Sequence, residues 1–373
     1  MPQVPLLEGR PDSGLEPSAG VVRLSLKGAA ETERLKPPRR SGSVARRAAF
    51  GTMTGVSGVR IGHAEDPTGT TGVTAILFDR PAPTAVDVRG GASCTYDVAS
   101  LDLEATFGRR WAVFFAGGSV YGLDAARGIR TFLLDRGSGH RAFRNPNPIV
   151  PISGACLFDL PPERSAIADY LPLGFEAARS ATRGPVRLGR VGAGAGAAIG
   201  KYRGRKAADP GGVGSLSSRI PGVGTVGVLA VVNAVGGVRD PERGRWVAGP
   251  RDRSGAVIPP DESRFPTGGG PPPRGTTLVS IATDAPVDRR TLRRLAIAGQ
   301  TGIARTVVPS HTATDGDVVF ASSTTQGTAA RAERYPGAIG DRLGAVAAAL
   351  VAGAILEVGR RRRPPSRRAG RAP

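Results

Sequence analysis

At 373 residues the chain is long enough for one large domain or two smaller ones, and 54 glycines with only 5% aromatics favour a layered α/β protein over a helical bundle. The formal net charge is +20, yet seven arginines and no acid lie between Arg360 and Pro373, and the first fifty residues hold nine basic against five acidic side chains. More than half of the surplus thus sits on the two tails, and no aromatics are interleaved with it to stack bases, which disfavours a nucleic-acid partner.

Residues 1–52 are rich in Pro, Gly, Ser and mixed charge, without sustained periodicity, and read as a disordered tail. No basic-then-apolar leader opens the chain, so a cytoplasmic protein is expected. Met53 begins the first segment expected to fold. Gly58–Asp66 reads as a strand and turn, and Gly72–Phe78 and Thr84–Arg89 read as two strands pairing antiparallel across a short proline-containing loop. Trp111–Phe115 is a strand that runs into Gly117 and Gly118. A helix is predicted over 119–135, with Val120, Leu123, Ile129, Phe132 and Leu133 on one face. The two glycines suit either an anion or oxyanion at the helix start or tight strand–helix packing.

Pro148–Ile152 and Ala155–Phe158 are extended, and Tyr170–Thr182 is helical. Gly192, Gly194 and Ala197 mimic a dinucleotide fingerprint, but no strand with an acidic end follows at the required distance. The segment lacks the residues of a phosphate loop as well, with Ala195 and Tyr202 where Gly and Ser or Thr are needed. Thr225–Val232 is a strand delivering Asn233, and 239–274 reads as one long polar loop. Val287–Ile303 is an amphipathic helix with Leu292, Leu295, Ala296 and Gly299 inward, and with Arg289, Arg290, Arg293 and Arg294 facing solvent. Asp315 and Asp317 flank a turn before the strand Val318–Ser322, and 339–358 is a closing helix. The apolar run Leu343–Ile355 is shorter than the roughly 20 residues of a membrane span. Cys94 and Cys156 are too few for a disulfide framework, and His63, His140 and His311 form no ligand pair, so neither metal nor cofactor is expected.

The Gly/Pro-rich run 266–274 delivers Gly275-Thr276-Thr277 to the head of the strand Leu278–Thr283. Cleavage between Gly275 and Thr276 would place a hydroxyl beside a free α-amine. Such an amine titrates at about 7.7–8.0 and can take the hydroxyl proton near neutrality. Glycine before the bond would permit strained backbone angles there.

Seven motifs in order carry a family resemblance: Gly58–His63, Val86–Gly91, Ala116–Asp124, Val191–Gly196 with Lys201, Val232–Gly236, Gly275–Leu278, and His311 through Asp315 and Asp317 to Phe320. Over about 58–358 the chain resembles the self-cleaving N-terminal-nucleophile peptidases that include L-aminopeptidase/D-amidase/D-esterase, β-peptidyl aminopeptidases and the nylon-oligomer endo-hydrolase. The resemblance implies an α/β (α+β) fold, a four-layer α-β-β-α sandwich. It implies a single catalytic domain over 53–359, self-cleaved at Gly275/Thr276, with 360–373 a disordered Arg-rich tail. It further implies Thr276 as nucleophile, Lys201, Asn233, Asp315 and Asp317 as its supporting residues, a small peptide or amide substrate, and a homo-oligomer, often a tetramer. The nylon hydrolase has Asn where this chain has Gly275, and the aminopeptidase branch commonly has Ser where it has Thr276. An acyltransferase of the ornithine acetyltransferase type is the alternative within enzymes, and a non-catalytic basic binding protein the alternative outside them.

Overall fold

The computed structural model describes residues 51–141, 146–160, 166–261, 273–325 and 337–361. The two expected tails lie outside these residues apart from 51–52 and 360–361, as does 262–272 of the segment before the predicted cut. In chain order the elements are β1 (Val59–Glu65), β2 (Gly72–Val88), β3 (Cys94–Tyr96), β4 (Arg109–Ala116), α1 (Ala125–Asp135), β5 (Ile152–Cys156) and α2 (Tyr170–Arg179). They continue with β6 (Ala198–Ile199), β7 (Asp209–Pro210), β8 (Gly212–Ile220), β9 (Gly224–Asn233), β10 (Gly237–Asp240), β11 (Arg245–Ala248) and β12 (Thr276–Thr283). The last are α3 (Arg289–Thr306), β13 (Val307–Val308), β14 (Val318–Ser323) and α4 (Ala338–Arg360).

Alternation along the strands sets the layers, because successive side chains leave opposite faces of a sheet. On β2, Val73, Ala75 and Leu77 pack with Ala112 and Phe114 of β4 onto Ile129 and Leu133 of α1 and Ala177 of α2. Their neighbours Ile76 and Phe78, with Val113 and Phe115, face the other way and meet Val213, Leu229, Val231, Leu278 and Phe320. The outer face of that second set, Val228, Ala230, Val279, Ile281 and Val319, packs on Leu292 and Leu295 of α3 and Val351 and Ile355 of α4. The order is helices, sheet, sheet, helices. Phe115 and Phe320 tie the middle together, with ring centroids 6.2 Å apart; Phe320→Ala would cost about 3–5 kcal/mol.

Hydrogen bonding runs through both layers in the order β3-β5-β4-β2-β14-β12-β9-β8, with β1 also on β2. β2 makes this possible and corrects the sequence reading. Gly72–Phe78 and Thr84–Arg89 do not pair with each other; they are two ends of one strand of 17 residues. Its first half pairs with β1 and β4, the register on β4 shifts between Leu77 and Ala82, and from Thr84 it pairs with β14. Pro81 and Pro83 lie near this change of partner, where a missing backbone donor is tolerated.

Four smaller corrections follow. Ser119–Asp124 is a 3₁₀ turn, not α-helix, and leaves Val120 exposed; α-helix starts at Ala125. The stretch after Asn233 is not all loop, since β10 and β11 form a hairpin within it. Arg289 and Arg293 do not face solvent freely: Arg289 donates to the carbonyls of Leu101 and Ala105, and Arg293 pairs with buried Asp87 at 3.0 Å. α4 spans 23 residues, long and apolar enough for a bilayer, and half of its most apolar stretch is buried in this fold.

Candidate active site

Thr276 is the first residue of β12, and its register partner is Asn233, the last residue of β9. β12 lies between β9 and β14, so its head is fixed on both sides. One residue earlier, Gly275 bridges in parallel to Asp315: its N–H donates to Thr314 O at 3.2 Å, and Gly316 N–H donates to Gly275 O at 3.0 Å. Thr276 Oγ1 donates to that same carbonyl. The Gly275–Thr276 peptide thus has the hydroxyl against its carbonyl and a backbone donor already polarising its oxygen.

Gly275 does not take left-handed angles, contrary to the strained backbone expected of it. Space explains its glycine instead. A Cβ there would collide with Val235 N and Asp315 Oδ1. The turn facing it is held equally closely: a Cβ on Gly90 would strike the backbone of Asp315 and Asp317, and Ala92 N–H donates to Asp315 O at 2.8 Å.

Both aspartates are almost fully buried. Asp317 Oδ1 accepts from Thr277 N–H at 2.6 Å, fixing the strand one residue past Thr276. Its Oδ2 accepts from His311 N–H at 3.0 Å and lies 2.8 Å from His311 Nδ1. Asp315 Oδ1 accepts from Val235 N–H at 3.3 Å, and its Oδ2 accepts from Thr312 N–H and Oγ1 at 3.1 and 2.7 Å. Burial, then the neighbouring Asp317 charge, raises the Asp315 carboxyl to about 6.

Lys201 is buried against Asn233, the register partner of Thr276. Its Nζ donates to Asn233 O at 2.7 Å and to Asn233 Oδ1 at 2.9 Å. Ala198 N–H donates to the same Oδ1 at 3.0 Å, and Asn233 Nδ2 donates to Phe158 O at 2.9 Å. Because the Ala198 N–H can only donate and the Phe158 carbonyl can only accept, the amide orientation of Asn233 is determined by chemistry. Its NH₂ therefore donates to Phe158 O. Burial, then the Arg205 charge, lowers Lys201 to about 7. A neutral amine has two N–H donors and one lone pair. Both donors are used on Asn233, which leaves the lone pair available for a proton.

All five expected site residues, Lys201, Asn233, Thr276, Asp315 and Asp317, thus lie in one connected cluster. The sequence reading missed Gly316 N–H, His311 and the buried Asp159. Asp159 accepts from Thr71 Oγ1 at 2.7 Å and from Gly118 N–H at 2.8 Å. The anion expected at Gly117-Gly118 is the chain's own carboxylate, and tight packing is the result. The Gly192–Gly194 stretch is a 3₁₀ turn whose N–H groups are taken by Glu65 at 2.7 Å and, through Ala193, by Thr74 at 3.1 Å. A strand of two residues follows it, not a helix, so it has no nucleotide-binding geometry. Among the described residues no three His, Cys, Asp or Glu side chains gather as a metal set.

The layers are those of the N-terminal-nucleophile hydrolase fold, here with a threonine at the head of a central strand. Residues 51–358 match peptidase family S58. The chain is 37% identical over 289 residues to an uncharacterised aminopeptidase of Mycobacterium tuberculosis, covering 73% of this chain and 81% of that protein. It is 31% identical over 318 residues to the 6-aminohexanoate-oligomer endohydrolase of Paenarthrobacter ureafaciens, covering 81% and 84%. Among solved structures it is similar to the L-aminopeptidase D-Ala-esterase/amidase of Ochrobactrum anthropi, with TM-score 0.56, 20% identity, and 83% and 87% coverage. The chain belongs to peptidase family S58 and has the N-terminal-nucleophile fold.

Proposed function

We propose that Thr276 is the nucleophile of two successive reactions in one site: cleavage of its own chain after Gly275, then hydrolysis of small peptides or amino-acid amides. The observation that carries this reading is the Thr276 hydroxyl set against the Gly275 carbonyl, with Gly316 N–H on the same oxygen. In the first reaction Oγ attacks the carbonyl carbon and the C–N bond breaks. The hydroxyl proton ends on the departing nitrogen, and water opens the ester. In the second, the freed α-amine of Thr276 takes the hydroxyl proton as Oγ attacks the substrate carbonyl.

Gly316 N–H is the donor for the negative oxygen of self-cleavage, a contribution of about 2.7–4 kcal/mol where such donors have been removed. Lys201, neutral above about pH 7, is the group that accepts and returns the proton. Asp317 positions the strand through Thr277, and Asn233 holds Lys201 in place. The reading takes the protein as a cytoplasmic homo-oligomer. Thr276→Ser should retain both reactions and Thr276→Val should lose both. An uncut Thr276→Val chain that still hydrolyses amino-acid amides at the wild-type rate would remove Thr276 from the role.

A further inference from the structure

The self-cleavage ester is chemically an acyl-enzyme. Transfer of the Gly275 carbonyl from Thr276 N to Oγ breaks one C–N bond, forms one C–O bond and moves one proton from oxygen to nitrogen. Hydrolysis then consumes one water, restores Oγ–H and frees the Gly275 carboxylate. A site that completes this sequence has accepted Arg274-Gly275 as the acyl part of a substrate, and the uncut chain shows how they sit.

Gly275 sits against a wall. A Cβ in the L configuration would run into Val235 N, which is backbone, as well as Asp315 Oδ1 and Val235 Cγ2. Val235 N–H is itself held by Asp315 Oδ1 at 3.3 Å, so the wall is braced. Arg274 is exposed and lays its guanidinium 4.9 Å from the centroid of the Phe158 ring, within the range of a cation–π contact. Phe158 belongs to the same cluster: its carbonyl accepts from Asn233 Nδ2 at 2.9 Å, and the buried Asp159 follows it. Among the described residues its ring has no other aromatic or cationic partner. Once the chain is cut, the ring face beneath Arg274 is open to whatever replaces it.

We propose that Arg274 and Gly275 hold the places of the substrate: the mature site takes an acyl group with no L side chain on the carbon next to the carbonyl and with a cation seated on Phe158. The cation comes from a basic side chain one residue before a glycyl residue. The inference rests on the hydrolase reading above and narrows its substrate.

Wild-type protein, after its mass has been checked for cleavage, would be assayed with four anilides: arginyl-glycyl, citrullyl-glycyl, arginyl-L-alanyl and an unbranched ω-amino acyl. Citrulline keeps the shape of arginine and lacks the charge. The arginyl-glycyl anilide should have a kcat/KM about two- to fivefold above the citrullyl-glycyl one, as expected of an exposed cation–π contact. It should exceed the arginyl-L-alanyl anilide by about a hundredfold or more, the scale of a contact that is lost to a backbone clash. Within Phe158→Leu the arginine-to-citrulline ratio should fall to about one, and within Phe158→Tyr it should persist; if these variants do not fold, the wild-type ratios decide. Slower turnover of the ω-amino acyl anilide than of arginyl-glycyl is expected, and faster turnover would overturn the assignment of a basic side chain to Phe158. Citrulline equal to arginine, or L-alanyl equal to glycyl, overturns the inference and leaves the hydrolase reading intact. A chain that neither cuts itself nor cleaves any of the four overturns the hydrolase reading beneath it.

Discussion

Removing the charge of Asp315 should stabilise the uncut protein above pH 6 and weaken its processing. The carboxyl is raised from its ordinary 3.8 to about 6, first by burial and then by Asp317. Because the folded value lies above the unfolded one, the protonated form favours the fold. That stabilisation is full below about 3.8 and is lost as pH rises through about 6. The difference between the two values corresponds to about 3 kcal/mol of strain carried by the ionised group at neutral pH. Asparagine carries no charge and fits the same space, although its NH₂ replaces one acceptor oxygen and meets either Val235 N–H or Thr312, a penalty that does not vary with pH. Urea denaturation of Thr276→Ala protein, with and without Asp315→Asn, measures the effect on an uncut chain. The advantage of Asn over Asp should grow by about 2–2.5 kcal/mol between pH 4 and pH 7. An advantage that stays flat over this window, or shrinks, would refute the claim that Asp315 sits as a disfavoured charge beside Asp317.

Lys201→Met should slow self-cleavage about 10²–10⁴-fold at pH 8, the range of a lost proton acceptor. The rise of the wild-type rate through about pH 7 should vanish with it, as a pH series of fragment appearance would show. Asn233→Ala leaves Ala198 N–H and Phe158 O without their buried partner and takes one of the two acceptors of Lys201 Nζ, which keeps the backbone carbonyl, so it should cost stability of about 1–3 kcal/mol as well as processing. A denaturation midpoint equal to wild type would contradict it. His311→Ala removes a ring nitrogen 2.8 Å from Asp317 but leaves Thr277 N–H in place. Fragment appearance should therefore slow less than in Asp317→Ala, and equal slowing would show that Asp317 works through His311.

The strands that build the site were legible because their apolar residues alternate or run continuously between Gly and Pro breaks. Thr276 stood out for the same reason: it is where a Gly/Pro-rich run ends and a buried strand begins. Two aspartates at 315 and 317 signalled a turn at a strand mouth, and Asn233 was placed at a strand end, where β9 has it. What sequence could not give was direction. Nothing in the composition says that the Asn233 amide turns to Phe158, or that a backbone N–H, Gly316, meets the carbonyl. Backbone donors carry no residue signature. Pro81 and Pro83 argued for a loop because proline usually ends pairing; they are accommodated because β2 changes neighbours there. Gly275 was noticed, but for conformational freedom, whereas its neighbours Val235 and Asp315 lie 40 positions away on either side and their proximity exists only in the fold. Asp159 had no local motif at all; its partners Thr71 and Gly118 lie just before β2 and just after β4.

The most direct test of the central claim is the mass, under denaturing conditions, of purified wild-type protein beside Thr276→Ala. The account predicts two fragments in wild type, one ending at Gly275 and one beginning at Thr276, and a single intact chain in the variant. An intact wild-type chain after long incubation at pH 8, or a cut that persists in Thr276→Ala, would contradict it.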